Sequence, residues 1–274
     1  MHDKLPIRKA HTKLFIPFLQ LNRRHSRNEV NALLKDKNMT ASAKRLTLTT
    51  ALFSVAAVAM AISAHTEPSR PLTVVELFQS EGCSDCPPAE ANLNAIAGRD
   101  NILALSFEVT YWDQLGWKDR YASPAFTARQ WDYAHYWHNN GVYTPQMVIN
   151  GRYALVGANR GQVENAIAHT PGLSPSIKID VRNRGLTVSS AAPLSDTILQ
   201  LVTYDPRVIN QPVRAGENAG ATLPHKDIVT GLTTLGHYHG GNAHYTIAPA
   251  PAAMAQAVLL QQGVGGPIIA AAKI

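Results

Sequence analysis

Cysteine is scarce in this chain, which has only two, Cys83 and Cys86, among 274 residues. Two thiols allow one internal disulfide at most. Neither lies near the apolar segment at 46–64, so a lipid-anchored cysteine is not indicated. The chain also lacks a phosphate-binding glycine motif and a Ser-His-Asp signature, and no cofactor is expected.

An excess of charge of one sign is also missing from most of the chain. The formal net charge is +6, but residues 1–64 hold 11 Lys and Arg against 3 Asp and Glu. The remaining residues hold 14 Lys and Arg against 16 Asp and Glu, so their formal net charge is −2. Because the basic character belongs to the first segment alone, neither nucleic acid nor an acidic membrane surface is expected as a partner.

The first 64 residues have the pattern of a targeting segment. A Lys-Arg pair precedes the uncharged, Ala-rich run at 46–64, and small residues near its end offer a cleavage site. We therefore expect a signal peptide at 39–64 and a periplasmic or secreted bacterial protein that touches the membrane only through an uncleaved signal. Residues 1–38 fit poorly before such a signal. The alternatives are translation from Met39 and an unusually long basic leader.

Residues 70–170 alternate between strand-like and helix-like segments. Strands are predicted at 73–78, 101–109, 147–149 and 152–156, and helices at 86–97, 124–139 and 160–168. An Asn-Gly pair between the last two strands is the strongest short signal for a hairpin. The resulting order, β-α-β-α-β-β-α, is that of a thioredoxin-like α/β fold.

The pattern changes after the Pro-Gly-rich segment at 171–175. Short strand-like runs separated by Gly, Pro and Asn follow at 176–181, 186–189, 197–204, 228–233, 245–248 and 257–261. Such spacing is typical of antiparallel sheets. We therefore predict a second, mostly antiparallel, β-sandwich-like domain at 175–274.

The two cysteines lie three positions apart, at a junction between a strand and a helix. The helix N-terminus stabilises a thiolate and lowers its pKa, which favours thiol–disulfide exchange. A disulfide that closes so short a loop adds little stability, so redox chemistry is the better explanation. Cys83 is then the nucleophile, and Cys86, expected to be the less exposed of the two, resolves the mixed disulfide.

Three separate segments are expected to meet near these cysteines. Parallel strands end at the same edge of a sheet, which places Trp112 beside the pair. The third strand runs in the opposite direction, so Thr144 and Pro145 return to that edge, where a cis bond would leave backbone groups free for an extended peptide. Glu76, within the first strand, is either a proton shuttle with a raised pKa or an ordinary strand residue that faces solvent or pairs with Lys or Arg.

The chain resembles the thioredoxin superfamily in its Cys-Ser-Asp-Cys-Pro and Tyr-Thr-Pro segments. It is more closely similar to a bacterial secreted family, domain of unknown function 1223. That resemblance rests on residues 75–88, 111–119, 142–147 and 216–220. It implies a thioredoxin-type fold but no defined substrate.

The favoured function is an exported thiol–disulfide oxidoreductase that acts on protein thiols or disulfides. One alternative is a copper-binding chaperone that combines the cysteines with a remote histidine. The other is a binding module with an inert, structural disulfide. The histidines at 237, 239 and 244 are expected in a solvated loop, so no resident metal is predicted, and homodimerisation stays open.

Overall fold

A computed structural model of the protein describes residues 71–182 and 185–274. The basic leader, the start at Met39 and the signal peptide at 39–64 lie outside these residues. Within the described part of the chain, no helix has both the length and the apolar character needed to cross a bilayer.

The secondary structure comprises three α-helices, one 3₁₀ segment and thirteen strands over the described residues. The helices are α1 (Cys86–Ile96), α2 (Pro124–Tyr136) and α3 (Arg160–His169), and the 3₁₀ segment is Thr110–Leu115. The strands are β1 (Thr73–Gln79), β2 (Ile102–Glu108), β3 (Gln146–Ile149), β4 (Tyr153–Leu155), β5 (Ile177–Arg182), β6 (Gly185–Ser190), β7 (Thr197–Asp205), β8 (Ile209–Pro212), β9 (Thr222–His225), β10 (Ile228–His237), β11 (Gly241–Thr246), β12 (Ala255–Gln262) and β13 (Ile268–Lys273).

The predicted helices all form, and side chains cap the N-termini of two of them. Ser123 accepts a hydrogen bond from an amide in the first turn of α2, and Asn159 does the same for α3. Such side-chain acceptors satisfy amides that have no partner within the helix. Two prolines occupy the first turn of α1, where a missing amide donor costs little.

Eight strands form one sheet in the order β13-β12-β7-β10-β2-β1-β3-β4. β1 and β2 are parallel and β3 is antiparallel to β1, which confirms the predicted strand directions. The second half of the chain enters the same sheet, because β10 pairs with β2 in parallel, with Ile228 opposite Ser106. The protein therefore has a mixed α/β fold built on a sheet to which both halves contribute.

The remaining strands form a three-stranded sheet, β11-β6-β5, and a separate β8-β9 hairpin. A buried apolar cluster joins residues of the three-stranded sheet to β7, β12 and β13; Leu186, Val188, Leu199 and Val258 are among its members. Three strands were not predicted: β8, β9 and β13. The first two are short and carry a proline each, and β13 is rich in alanine, so local propensity is weak in all three.

The helices cover the two faces of the large sheet. α1 and α3 pack on one face with Val75 and Leu77, whereas α2 packs on the other with Val74 and Phe78. Successive side chains of a strand point to opposite faces. Glu76 therefore lies on the α2 face, opposite the face that α1 covers.

Candidate functional site

Cys83 and Cys86 form a disulfide in the connection between β1 and α1. Their Cα atoms are 5.4 Å apart, and the Cys86 amide donates to the Cys83 carbonyl oxygen at 3.2 Å. Asp85 is the N-cap of α1, so Cys86 is the first helical residue. The positive end of the helix dipole therefore lies next to the sulfur pair, where it stabilises a thiolate after reduction.

Both cysteines are buried, which corrects one expectation. Cys83 is 1% exposed and Cys86 is 2% exposed, so Cys86 is not the more protected of the two. The two residues between them, Ser84 and Asp85, are exposed instead. The turn presents its middle to solvent and directs both cysteine side chains into the protein.

Trp112 connects the disulfide turn to the Thr-Pro segment. A Cβ atom at Gly82 would lie 3.5 Å from the Cβ of Trp112, so the turn packs directly on this side chain. The indole Nε1 donates to Thr144 Oγ1 at 2.7 Å, and the Thr144–Pro145 peptide bond is cis. These contacts link three segments that are distant in the sequence.

A loop from the second half of the chain lies on the same turn. The Asn218 carboxamide donates to the carbonyl oxygens of Glu81 and Cys83, each at 2.9 Å. The Glu217 carboxylate accepts from the Ser84 amide at 3.1 Å and from its hydroxyl at 2.7 Å. These bonds lower the pKa of Glu217. Residues more than 130 positions away thus hold the backbone around the disulfide.

Glu76 is part of a buried ion pair. Arg129 Nε lies 2.7 Å from Glu76 Oε1, and the Tyr133 hydroxyl donates to the same carboxylate at 2.5 Å. The pairing matches the second of the two interpretations of Glu76, a strand carboxylate matched by a basic residue. Its proton-shuttle role stays a prediction, and its position on the α2 face does not favour that role.

A second group of buried polar side chains lies at the C-terminal ends of β1 and β2. We call it the acid cluster; its members are Gln79, Glu81, Glu90, Ser106, Glu108, Asp119 and His225. Its residues come from two strands, two loops, α1 and the β8-β9 hairpin. The Gln79 carboxamide nitrogen lies within 3.1 Å of acceptors on Glu90, Ser106 and Glu108.

His225 brings the second half of the chain into the acid cluster. Its Nδ1 bonds to Glu90 Oε1, and its Nε2 lies 3.7 Å from Glu81 Oε1. Asp119 accepts from the Glu81 amide at 2.9 Å, and Trp117 donates to Glu81 Oε2 at 2.5 Å. Glu81 is two residues before Cys83, so the acid cluster adjoins the disulfide turn through the backbone.

The acid cluster binds protons more strongly than free side chains do. Burial, reinforced by the charge of Asp119, raises the pKa of Glu81 from 4.5 to about 7. Burial and the charges of Asp119 and Glu90 raise the pKa of Glu108 well above its usual value. Burial lowers the pKa of His225, but its bond to Glu90 and the charges of Glu90, Glu81 and Asp119 together outweigh that effect, and the pKa rises. Glu81 and Glu108 therefore keep their protons to a higher pH than free carboxyl groups do.

Few features of the sequence indicate this second group. Glu90 had one signal, since it falls on the buried stripe of α1 with Ala89 and Leu93. Glu108 lies within the apolar run predicted as the second strand, where its position has the same two interpretations as that of Glu76. Asn218 falls within the 216–220 segment of the family resemblance, which does not indicate its contacts, and His225 has no usable signal. The contacts of both residues cross more than 130 residues of sequence.

The other histidines do not form a metal site in the described structure. Across residues 71–182 and 185–274, no three His, Cys, Asp or Glu side chains are placed to hold a metal ion. His237 ends β10, and its ring stacks on that of His239 at 6.4 Å between centroids. No histidine ligand for the two sulfurs emerges from this arrangement.

A family model described as "Protein of unknown function (DUF1223)" matches residues 74–261. The chain belongs to this family. The match includes the disulfide turn, Trp112, the Thr-Pro segment and the Glu217–Asn218 loop. The resemblance drawn from the sequence motifs is therefore confirmed at the level of the family.

Two solved structures resemble this DUF1223 protein. A crystal structure of an Agrobacterium tumefaciens protein from a structural genomics consortium is 27% identical, covering 76% of this chain and 96% of that one, with a TM-score of 0.60. HBP35 of Porphyromonas gingivalis is 13% identical, covering 75% of each chain, with a TM-score of 0.51. The second likeness concerns the fold alone. No curated protein matches the chain.

Proposed function

We propose that this DUF1223 protein is an exported thiol–disulfide oxidoreductase with a thioredoxin-like core. The β1-to-α3 order, β-α-β-α-β-β-α, supports a thioredoxin-like arrangement of residues 71–170. The observation that carries the proposal is the bridge by Trp112 between the Cys83–Cys86 turn and Thr144. This bridge supports the proposal because it links the disulfide turn to the Thr144–Pro145 segment, on which a partner backbone would lie.

The proposed exchange proceeds in two displacement steps. A partner thiolate attacks Cys83 Sγ, the Cys83–Cys86 bond breaks, and Cys86 leaves as a thiolate that takes up a proton. A second partner thiolate then attacks the mixed disulfide and releases Cys83. The partner dithiol loses two electrons and becomes a disulfide, and the protein's cysteines gain them. The reverse sequence reduces a partner, so the same residues serve an oxidant, a reductant or an isomerase.

Trp112, Thr144 and Pro145 act as positioning residues in this proposal. Thr144 is half-buried and Pro145 is buried, so the segment is a fixed surface rather than a free loop. A Trp112→Phe substitution keeps an aromatic ring but removes the donor to Thr144. We expect slower exchange with protein thiols and little change in the reduction potential.

The reduction potential of the Cys83–Cys86 pair tests the proposal. We expect equilibration with a thiol redox buffer to give a value between about −270 and −120 mV, the range of catalytic dithiols. Cys86→Ser should accumulate a mixed disulfide with a partner protein, whereas Cys83→Ser should not. Full exchange activity in the Cys83→Ser variant would contradict the assignment of the nucleophile.

A second candidate function is favoured by the burial of both sulfurs. In that case the disulfide is structural, and the protein binds a partner without redox turnover. A structural disulfide has a potential below about −300 mV and resists reduction in the folded state. The same measurement therefore separates the two candidates.

A further inference from the structure

The β8-β9 hairpin and its connecting residues, 213–221, lie against the disulfide turn. Asn218 bonds to the carbonyl oxygen of Cys83, and Glu217 bonds to the amide of Ser84. These are the backbone groups immediately around the first sulfur. A peptide chain joined to Cys83 by a mixed disulfide would have to occupy the same space.

The connecting residues form a compact unit. The Ala219 amide donates to Gly216 at 3.2 Å, and the Gly220 amide donates to Val213 at 2.9 Å. Gly216 and Gly220 have φ angles of +75° and +87°, a conformation that residues with a side chain rarely adopt. The tip of the hairpin is therefore a compact turn that is held together by its own backbone hydrogen bonds.

The base of the hairpin is fixed more firmly than its tip. His225, which is buried, bonds to Glu90 on α1, and Asn94 of α1 donates to the Pro224 carbonyl oxygen. At the tip, Glu217 is exposed, and its contact with Ser84 lies at the surface. The Asn218 bonds are partly buried, whereas the His225 bond at the base is fully buried. Segments held by a few partly exposed bonds open at a smaller cost in free energy than buried ones, so opening is expected at the tip rather than at the base.

We infer that residues 213–221 form a strap that closes over the Cys83–Cys86 disulfide and restricts the approach of a partner protein. The inference rests on the proposed function and adds its regulation. Lifting the strap breaks the Asn218 and Glu217 bonds and frees the Cys83 carbonyl and the Ser84 amide. Those two groups then accept and donate hydrogen bonds to the backbone of the incoming chain.

The rate of disulfide reduction in the purified, oxidised protein tests this inference. A protein dithiol, reduced thioredoxin, serves as the reductant, and the freed thiols are counted by alkylation and mass spectrometry. Asn218→Ala removes two hydrogen bonds from the closed strap, so we expect reduction about tenfold faster than in the wild type. Asn242→Ala, which removes an exposed carboxamide from β11, should leave the rate unchanged.

A second variant tests the other contact at the tip. Glu217→Gln keeps the shape of the side chain but weakens its bonds to Ser84, and a smaller acceleration is expected. Asp100→Asn, which removes an exposed carboxylate after α1, is its control. Circular dichroism establishes that each variant is folded.

Failure of the strap inference and failure of the proposed function give different experimental results. If folded Asn218→Ala and Glu217→Gln are both reduced at the wild-type rate, the strap does not restrict access and the inference is overturned. The equilibrium potential of the wild type tests the proposed function separately, because a strap that opens and closes changes the rate of access. If the reduction potential lies in the catalytic range but the variants are reduced at the wild-type rate, the strap inference is wrong and the proposed oxidoreductase function stands.

Discussion

Arg129 reaches across the large sheet to Glu76, with 2.7 Å between Nε and Oε1, and both side chains are buried. The same guanidinium donates to Gln200 on β7 at 2.9 Å and to Gln261 on β12 at 3.1 Å. One side chain of α2 therefore connects the first strand to two strands of the second half. The pair fixes the position of α2 across the part of the sheet where the halves meet.

Removing this guanidinium should destabilise the whole protein. Arg129→Met leaves the Glu76 carboxylate buried without its charge partner, so we expect a loss of about 3–5 kcal/mol in the free energy of unfolding. Urea denaturation followed by tryptophan fluorescence measures the loss. Arg152→Met, at an exposed arginine, is the control and should change stability by less than about 0.5 kcal/mol. Equal effects of the two substitutions would contradict a structural role for the pair.

Glu76→Gln separates that structural role from proton transfer. Because Glu76 lies on the α2 face, we expect lower stability but an unchanged exchange rate at the disulfide in the folded fraction. A change in the pH dependence of exchange without a loss of stability would instead support the proton-shuttle interpretation.

The acid cluster should make the protein less stable as the pH rises. Between pH 4.5 and about 7, unfolded Glu81 has lost its proton while folded Glu81 retains it. The folded state then binds more protons than the unfolded state, so the free energy of unfolding falls with increasing pH. His225, whose pKa is also raised, acts in the same direction, since its contribution is lost as the pH rises through the folded value.

Urea midpoints at several pH values between about 5 and 8 measure this dependence. Glu81→Gln, which cannot ionise, should flatten the curve. Glu217→Gln removes an exposed carboxylate whose pKa is lowered rather than raised, and it should leave the slope over that interval unchanged. A wild-type midpoint that rises across the interval would show that Glu81 does not keep its proton in the folded state.

The turn between β3 and β4 should be sensitive to the smallest added side chain. Gly151 has a φ angle of +61°, and a Cβ there would lie 2.6 Å from the Gly266 carbonyl oxygen and 3.0 Å from the Ile268 amide nitrogen. Both contacts are with backbone that cannot turn aside. We expect Gly151→Ala to cost about 2–3 kcal/mol in the free energy of unfolding.

Gly98→Ala is the matched control, because a Cβ at Gly98 meets nothing within 4 Å. Denaturation of both variants compares the two sites. If Gly151→Ala costs no more than Gly98→Ala, the turn does not pack on the segment before β13. A single unfolding transition in both variants is also expected, since the two halves share one sheet.

Local sequence signals account for the helices and strands of residues 71–170 and for their order. Caps at Ser123 and Asn159, the prolines at the start of α1 and the Asn-Gly turn act within a few residues, so their signals can be read directly. The pairing of the two cysteines is also a local feature that can be read from the sequence, because the cysteines are only three positions apart. The β13 strand had no comparable signal and was missed.

The tertiary structure alone decided how the halves are joined and what surrounds the disulfide. The pairing of β10 with β2, the His225–Glu90 bond and the Asn218 contact with Cys83 depend on chain closure over more than 100 residues. No local pattern encodes such contacts, because their free energy comes from burial and complementary bonding after the chain has folded. The prediction that Cys86 is less exposed than Cys83 was wrong for this reason. The strand-to-helix junction is a local feature, whereas the residues that cover Cys83 are distant in the sequence.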